Sequence, residues 1–130
     1  MPDKHVQTRL NRELVIWLVT VGRDGRPHAV PVWFSWDDGK SFLIYSVPGQ
    51  KVRDIQANPK VALHLNTDTV GDDVVRVEGT AKIDPKQAPA YRVPNYMRKY
   101  REQIQGFDWT PKVFSEKYHF AIRVRPTRFH

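Results

Sequence analysis

Ser46, Gln50, Lys51 and Arg53 gather two cations and two hydrogen-bonding side chains around a Ser-Val-Pro-Gly turn. Arg can fork two donors onto a phosphate, whereas Lys acts as a mobile point charge. That ranks Arg53 ahead of Lys51 as an anion ligand. A helix beginning here adds free backbone N–H groups and its dipole. Residues two apart do not share a helix face. The two cations would therefore hold opposite sides of one phosphate only if the helix starts at or after Lys51. The competing reading is a solvated basic surface. Other chemistry is sparse. The chain has no Cys, which excludes disulfides and thiolate nucleophiles. His5, His28, His64, His119 and His130 match no zinc spacing, so no metal site is expected. His28 reads either as a ligand contact or as a satisfied structural histidine. Asp37 and Asp38 read as turn residues, and no carboxylate pair stands out as an acid–base couple.

The elements around that turn read clearly. Phe42 to Tyr45 is an apolar, β-rich run. Gln50 to Ala57 follows as a short helix, with Val52 and Ile55 facing the core. Asn58-Pro59 stops it, and Val61 to Asn66 is the next strand. Upstream, Asn11 to Val15 reads as one helical turn after a frayed start. Trp17 to Val21 is a strand with Trp17 in the core. Asp24-Gly25 makes a turn, and His28 to Ser35 is the second strand. Pro31 inside it signals an edge, a bulge or close approach of a ligand. With the turn at Asp37 to Lys40, the first three strands form an antiparallel meander. Val74 to Ile83 alternates dry and wet positions, and Gly79 marks a bulge. Asp84-Pro85 signals a helix over Lys86 to Ile104, interrupted at Pro89 and Pro94, with Val93, Met97, Tyr100 and Ile104 on one stripe. Thr110-Pro111 starts a brief helix to Lys117. His119 to Arg125 is the last strand. About six short strands with bulge signals predict a mainly β, mostly antiparallel small barrel with decorating helices; an open sandwich is the alternative.

At 130 residues the chain fits one domain, spanning 1–130. Its four Trp, five Tyr and six Phe are many to hide in so small a core, which hints at an interface or ligand shelf. No apolar run is long enough for a signal peptide or a membrane span, so a cytoplasmic protein without an integral membrane segment is expected. The net charge of +7 suits a polyanion. Tyr91, Tyr96 and Tyr100 interleave with Arg92, Arg98, Lys99 and Arg101. Such a pattern serves nucleic acid or an anionic small-molecule tail. No nucleic-acid motif accompanies it, so no nucleic-acid partner is expected.

Three stretches carry a resemblance over nearly the whole chain: TVGRDGRPHAVPVWFSWDDG, FLIYSVPGQKVRDIQANPKVAL and VVRVEGTAKI. In order, they resemble the flavin/deazaflavin oxidoreductase superfamily, the split β-barrel proteins related to pyridoxamine 5'-phosphate oxidase. The sub-pattern resembles the actinobacterial branch that uses the deazaflavin coenzyme F420. The resemblance implies the FMN-binding type of split barrel and a homodimer with two cofactor grooves between subunits. It implies a cofactor phosphate at Lys51 and Arg53, with Ser46 and Gln50 nearby. It lays the tricyclic ring along Pro31, Val32 and Trp33, with Thr20 beside them. It also implies hydride transfer from reduced F420 to a planar conjugated substrate such as an enone, a quinone-like compound or a tetrapyrrole. The phosphodiester and oligoglutamate tail of F420 would then meet the surplus positive charge. The oxidase branch carries an Arg-rich strand where this chain reads HAVPVWF, so pyridoxine phosphate recognition is not expected. The alternatives are an FMN-dependent oxidoreductase or flavin-binding protein of the same fold, and an F420-binding protein without turnover.

Overall fold

The computed structural model describes residues 2–130. A helix, α1 (Lys4–Arg12), precedes the strands. The Asp3 carboxylate caps it by accepting the Val6 N–H at 2.9 Å. The helix thus starts well before the turn expected at Asn11, because the cap lies within the segment read as frayed. Leu10 anchors it in the core, and Arg9 donates to Glu13 (2.5 Å) and to the Asn66 carbonyl (2.6 Å).

Seven strands form one sheet: β1 (Ile16–Val21), β2 (Pro27–Val32), β3 (Ser35–Asp37), β4 (Ser41–Ser46), β5 (Lys60–Leu65), β6 (Arg76–Ile83) and β7 (Phe120–Phe129). Helix α2 (Gln50–Ala57) links β4 to β5. Every pairing is antiparallel, and the spatial order is β2-β1-β5-β6-β7-β4-β3. The expected meander therefore breaks. β1 pairs with β2 and β3 with β4, but β2 and β3 occupy opposite edges.

Only Trp33 and Phe34 connect those two edges. Three residue steps reach at most about 11 Å. Six strand spacings laid flat would separate the edges by about 29 Å. The sheet must therefore curl until its edges nearly meet, giving a split barrel with an unpaired seam. At the bulge beside Gly79, a Cβ would come within 2.8 Å of the Arg125 carbonyl oxygen. This close approach of backbones lets the sheet bend there.

Alternation then sorts side chains between two cores. Ile16, Leu18, Phe34, Phe42, Leu63 and Val77 point into the barrel. Leu43, Tyr45 and Ala121 point outward from β4 and β7, under a helical layer. That layer is a 3₁₀ turn (Ala90–Arg92), α3 (Pro94–Gly106) and α4 (Pro111–Lys117). The expected helix from Lys86 does not form. Asp84 instead accepts the Lys86 N–H in a local turn (3.0 Å), Pro89 precedes the 3₁₀ turn, and Pro94 opens α3 at its first position, where a missing N–H is tolerated. Once started, α3 buries Tyr96, Met97, Tyr100 and Ile104 along one stripe. Thr110 caps α4 by accepting the Val113 N–H at 3.1 Å. Trp17 lies on the half-buried outer face of β1, with its Nε1 donating to Asn66 Oδ1 at 2.9 Å. The strand phase puts Ile16, Leu18 and Thr20 inside and so sends Trp17 out. Among the described residues no helix is long and apolar enough to cross a membrane.

Candidate functional site

A cavity of about 420 Å³ opens where β2 ends, between the barrel wall and the helical layer. One wall is Pro31, Val32 and Trp33. Pro31 suits this place because β2 is an edge strand and needs no second set of N–H donors. Val32 turns inward and Phe34 turns inward, so Trp33 between them turns out toward the helices. Its ring stacks on Tyr100 at 4.6 Å with an interplanar angle of 6° and on Phe114 at 5.6 Å. Tyr45 and Tyr96 form the deep side, and Phe107, Trp109 and Tyr118 the outer side. Phe107 is 60% exposed and sits 5.6 Å from the Trp109 ring, in the loop between α3 and α4. The fold puts that loop at the cavity's outer wall.

Lys51, in the first turn of α2, lines the same cavity. Burial lowers its ammonium pKa below the ordinary lysine value. No hydrogen bond or ion pair engages its Nζ among the described residues. No side chain caps α2, so its first N–H groups are free of side-chain acceptors. Arg53 does not line the cavity. Two residues along a helix turn the side chain by about 200°, and Arg53 lies exposed, donating to Gln50 Oε1 at 3.2 Å. The helix begins at Gln50, one residue before the earliest start that would let both cations grip one phosphate from opposite sides.

Gln50, Thr20 and His28 meet at a carboxylate that sequence reasoning did not single out. Asp54 is buried, and it accepts from Gln50 Nε2, Thr20 Oγ1 and His28 Nδ1, each at 2.7 Å. Burial acts to raise its pKa, but the three hydrogen bonds and the histidine charge outweigh it and hold the group below the usual carboxylate range. Asp54 thus ties α2 to β1 and β2. Thr20 is 1% exposed and faces this knot, away from the cavity. Ser46 is also buried, and its hydroxyl donates to the Val47 carbonyl at 2.6 Å. Of the eight residues singled out, the fold gathers Pro31, Val32, Trp33 and Lys51 at the cavity. Gln50 and Thr20 support the helix that presents Lys51. Tyr96 was read only as part of a basic, aromatic pattern, yet it lines the cavity and is fully buried. Lys99 from that pattern is also internal, donating to the Phe34 carbonyl (3.0 Å) and the Leu10 carbonyl (3.2 Å).

This arrangement suits a flat conjugated molecule with an anionic arm. Aromatic faces offer stacking, and Lys51 offers charge. No group of three or more metal-ligating side chains occurs among the described residues.

Comparison with known proteins places the fold. The model of the family described as pyridoxamine 5'-phosphate oxidase matches residues 2–130. A pyridoxine/pyridoxamine 5'-phosphate oxidase of Rubrobacter xylanophilus is 40% identical over 76 residues. That match covers 57% of this chain and 35% of the relative, so the chain spans about a third of the length of the curated protein it matches. Among solved structures, a protein described as an F420 reductase is 26% identical, with a TM-score of 0.69, over 100% of this chain and 98% of its own. A conserved hypothetical protein from Mycobacterium tuberculosis superposes with a TM-score of 0.76 at 23% identity, over 99% of this chain and 82% of its own, which shows the shared fold. With the split barrel, the edge strand at the cavity and the family match across residues 2–130, the chain belongs to the pyridoxamine 5'-phosphate oxidase family.

Proposed function

We propose that this protein is an oxidoreductase that binds a tricyclic flavin-type cofactor against Pro31–Trp33, with the cofactor's phosphate at Lys51. The observation that carries the reading is the cavity itself: an edge-strand wall, aromatic faces and one unpaired half-buried cation meet in one place. The residues fit such a group, since they offer stacking area and a single charge. When bound, the cofactor supplies hydride transfer. The chain binds and orients it. Lys51 and the uncapped start of α2 favour the phosphate, Asp54 holds that helix on the barrel, and the loop with Phe107 and Trp109 excludes water. The residues that line the cavity include no carboxylate and no histidine, and this reading assigns the redox chemistry to the cofactor.

FMN and F420 are both consistent with this cavity. The family match and the local identity to an oxidase favour an FMN-type reading. The F420 reading, hydride transfer from reduced F420 to a planar conjugated substrate, draws support from a different observation. Over His28 to Phe34, the strand beside the cavity carries no cation but His28, and a protein described as an F420 reductase aligns over the whole chain. A homodimer fits either reading, because the cavity adjoins the unpaired edge of β2, where a second copy would complete a groove. The deciding experiment is a fluorescence titration of FMN and F420 under matched conditions, followed by single-turnover reduction of an enone or quinone with whichever binds. Absence of binding by both overturns the proposal.

A further inference from the structure

We infer that the Tyr96 hydroxyl is a hydrogen-bond donor to the ligand of this cavity, selecting flat conjugated molecules that carry an acceptor oxygen at their buried edge. The inference rests on the proposed function only in treating the cavity as a ligand site.

Tyr96 is 0% exposed and lines the cavity. Its hydroxyl has no hydrogen-bond partner among the described residues. Gln103 Oε1 is in the same state but does not line the cavity. Buried polar groups are almost always bonded, and an unmet one costs stability. The surroundings cannot repair this one. The Tyr45 hydroxyl donates to the Ala88 carbonyl at 2.5 Å. The Tyr100 hydroxyl serves Phe34 and Leu14. The rings of Tyr45, Tyr100 and Phe114 pack around Tyr96 with centroids 5.0, 4.9 and 6.2 Å away. A trapped water needs two or more polar partners, and this aromatic nest supplies few. The hydroxyl cannot serve by ionising, because burial drives its pKa well above the ordinary tyrosine value. It remains a neutral donor, suited to a ketone or ring oxygen. Phenylalanine would pack as well and spare the penalty, so the hydroxyl lacks a structural use within the described residues and is left for a partner that enters through the cavity.

The test compares two probes of equal ring count, chromone and naphthalene, by isothermal titration against wild type and Tyr96→Phe. Chromone carries an acceptor carbonyl and naphthalene carries none. Wild type should bind chromone about fivefold more tightly than naphthalene, the value of one neutral hydrogen bond. Tyr96→Phe should abolish that preference while leaving naphthalene unchanged. The same substitution should raise the melting temperature of the ligand-free protein by roughly 3 °C, because it deletes an unsatisfied group. A preference that is absent in wild type or retained in Tyr96→Phe overturns the inference. So does a melting temperature that stays level or falls, since the hydroxyl would then be bonded within the protein or to water. Failure of FMN and F420 to bind wild type would overturn the proposed function but leave the probe comparison readable. A preference absent from wild type, or kept by Tyr96→Phe, with cofactor binding intact would overturn the role of Tyr96 alone.

Discussion

Tyr96 and Tyr100 lie one turn apart on α3, both fully buried, and their hydroxyls have opposite fates. Tyr100 accepts the Phe34 N–H at 2.8 Å and donates to the Leu14 carbonyl at 2.7 Å. The Tyr96 hydroxyl has no hydrogen-bond partner among the described residues. Two lysines repeat the contrast. Lys99 donates to two carbonyls and sits 3.6 Å from the centre of the Phe34 ring, whereas Lys51 faces the cavity unpaired. The satisfied pair closes the seam where β2 crosses to β3. The unsatisfied pair lines the cavity next to it. Polar groups that build this fold are used up by the fold, and two that are left over, Tyr96 and Lys51, line the cavity where we propose that a ligand binds.

The largest effect that would sharpen this contrast is at the seam. Tyr100→Phe should cost about 2 kcal/mol, because the buried Phe34 N–H loses its acceptor. Urea denaturation reads the loss, and an unchanged midpoint would mean that the seam does not depend on this hydroxyl. At the cavity the signs should reverse. Lys51→Ala should leave the denaturation midpoint in place and weaken cofactor binding about tenfold, the loss of one charge-assisted hydrogen bond. Unaltered affinity in fluorescence titration would remove Lys51 from the site.

The third prediction concerns pH. Burial pulls the Lys99 ammonium down to about 7, against the opposing pull of Glu13 and Asp37. Its folded pKa then lies below the unfolded value of about 10.4. Between those limits the unfolded chain binds more protons, so this residue makes stability rise with pH from about 7 to about 10 and contributes no slope below 7. The slope should approach about 1 kcal/mol per pH unit, and Lys99→Met should flatten it in denaturation curves taken at pH 7.5, 8.5 and 9.5. An equal slope in the variant would show that its two carbonyl partners keep Lys99 charged. The smallest effect is expected at Arg53. Residue type alone ranks Arg53 above Lys51, whereas its exposed position predicts less than about a threefold change in cofactor affinity for Arg53→Ala. A loss larger than that of Lys51→Ala would restore the order expected from the sequence and break the comparison.

Much of this protein was written locally. The alternation from Val75 to Ile83, the Gly79 bulge, the α2 boundaries and the Thr110-Pro111 cap all follow from neighbours within a few positions. So does the Met97–Tyr100–Ile104 stripe. Each depends on strand or helix period, or on a cap, and these are properties of short segments. The mainly β split barrel was likewise legible as a class. Where local signals competed, reading failed. Asp84-Pro85 resembles a helix start, but the Asp84 carboxylate closes a local turn instead, while the interruptions expected at Pro89 and Pro94 do occur. Trp17 looked like core until strand phase turned it outward.

Only the closed sheet decided the rest. Separating β2 and β3 to opposite edges set Phe34 under Tyr100 and Lys99, and Trp33 over the cavity. It brought Asp54 against Thr20 and His28 from 34 and 26 residues away. A sequence shows which side chains carry polar atoms. Whether such an atom is partnered, as at Tyr100 and Asp54, or left unpartnered, as at Tyr96 and Lys51, depends on groups distant along the chain that only barrel closure brings within bonding distance.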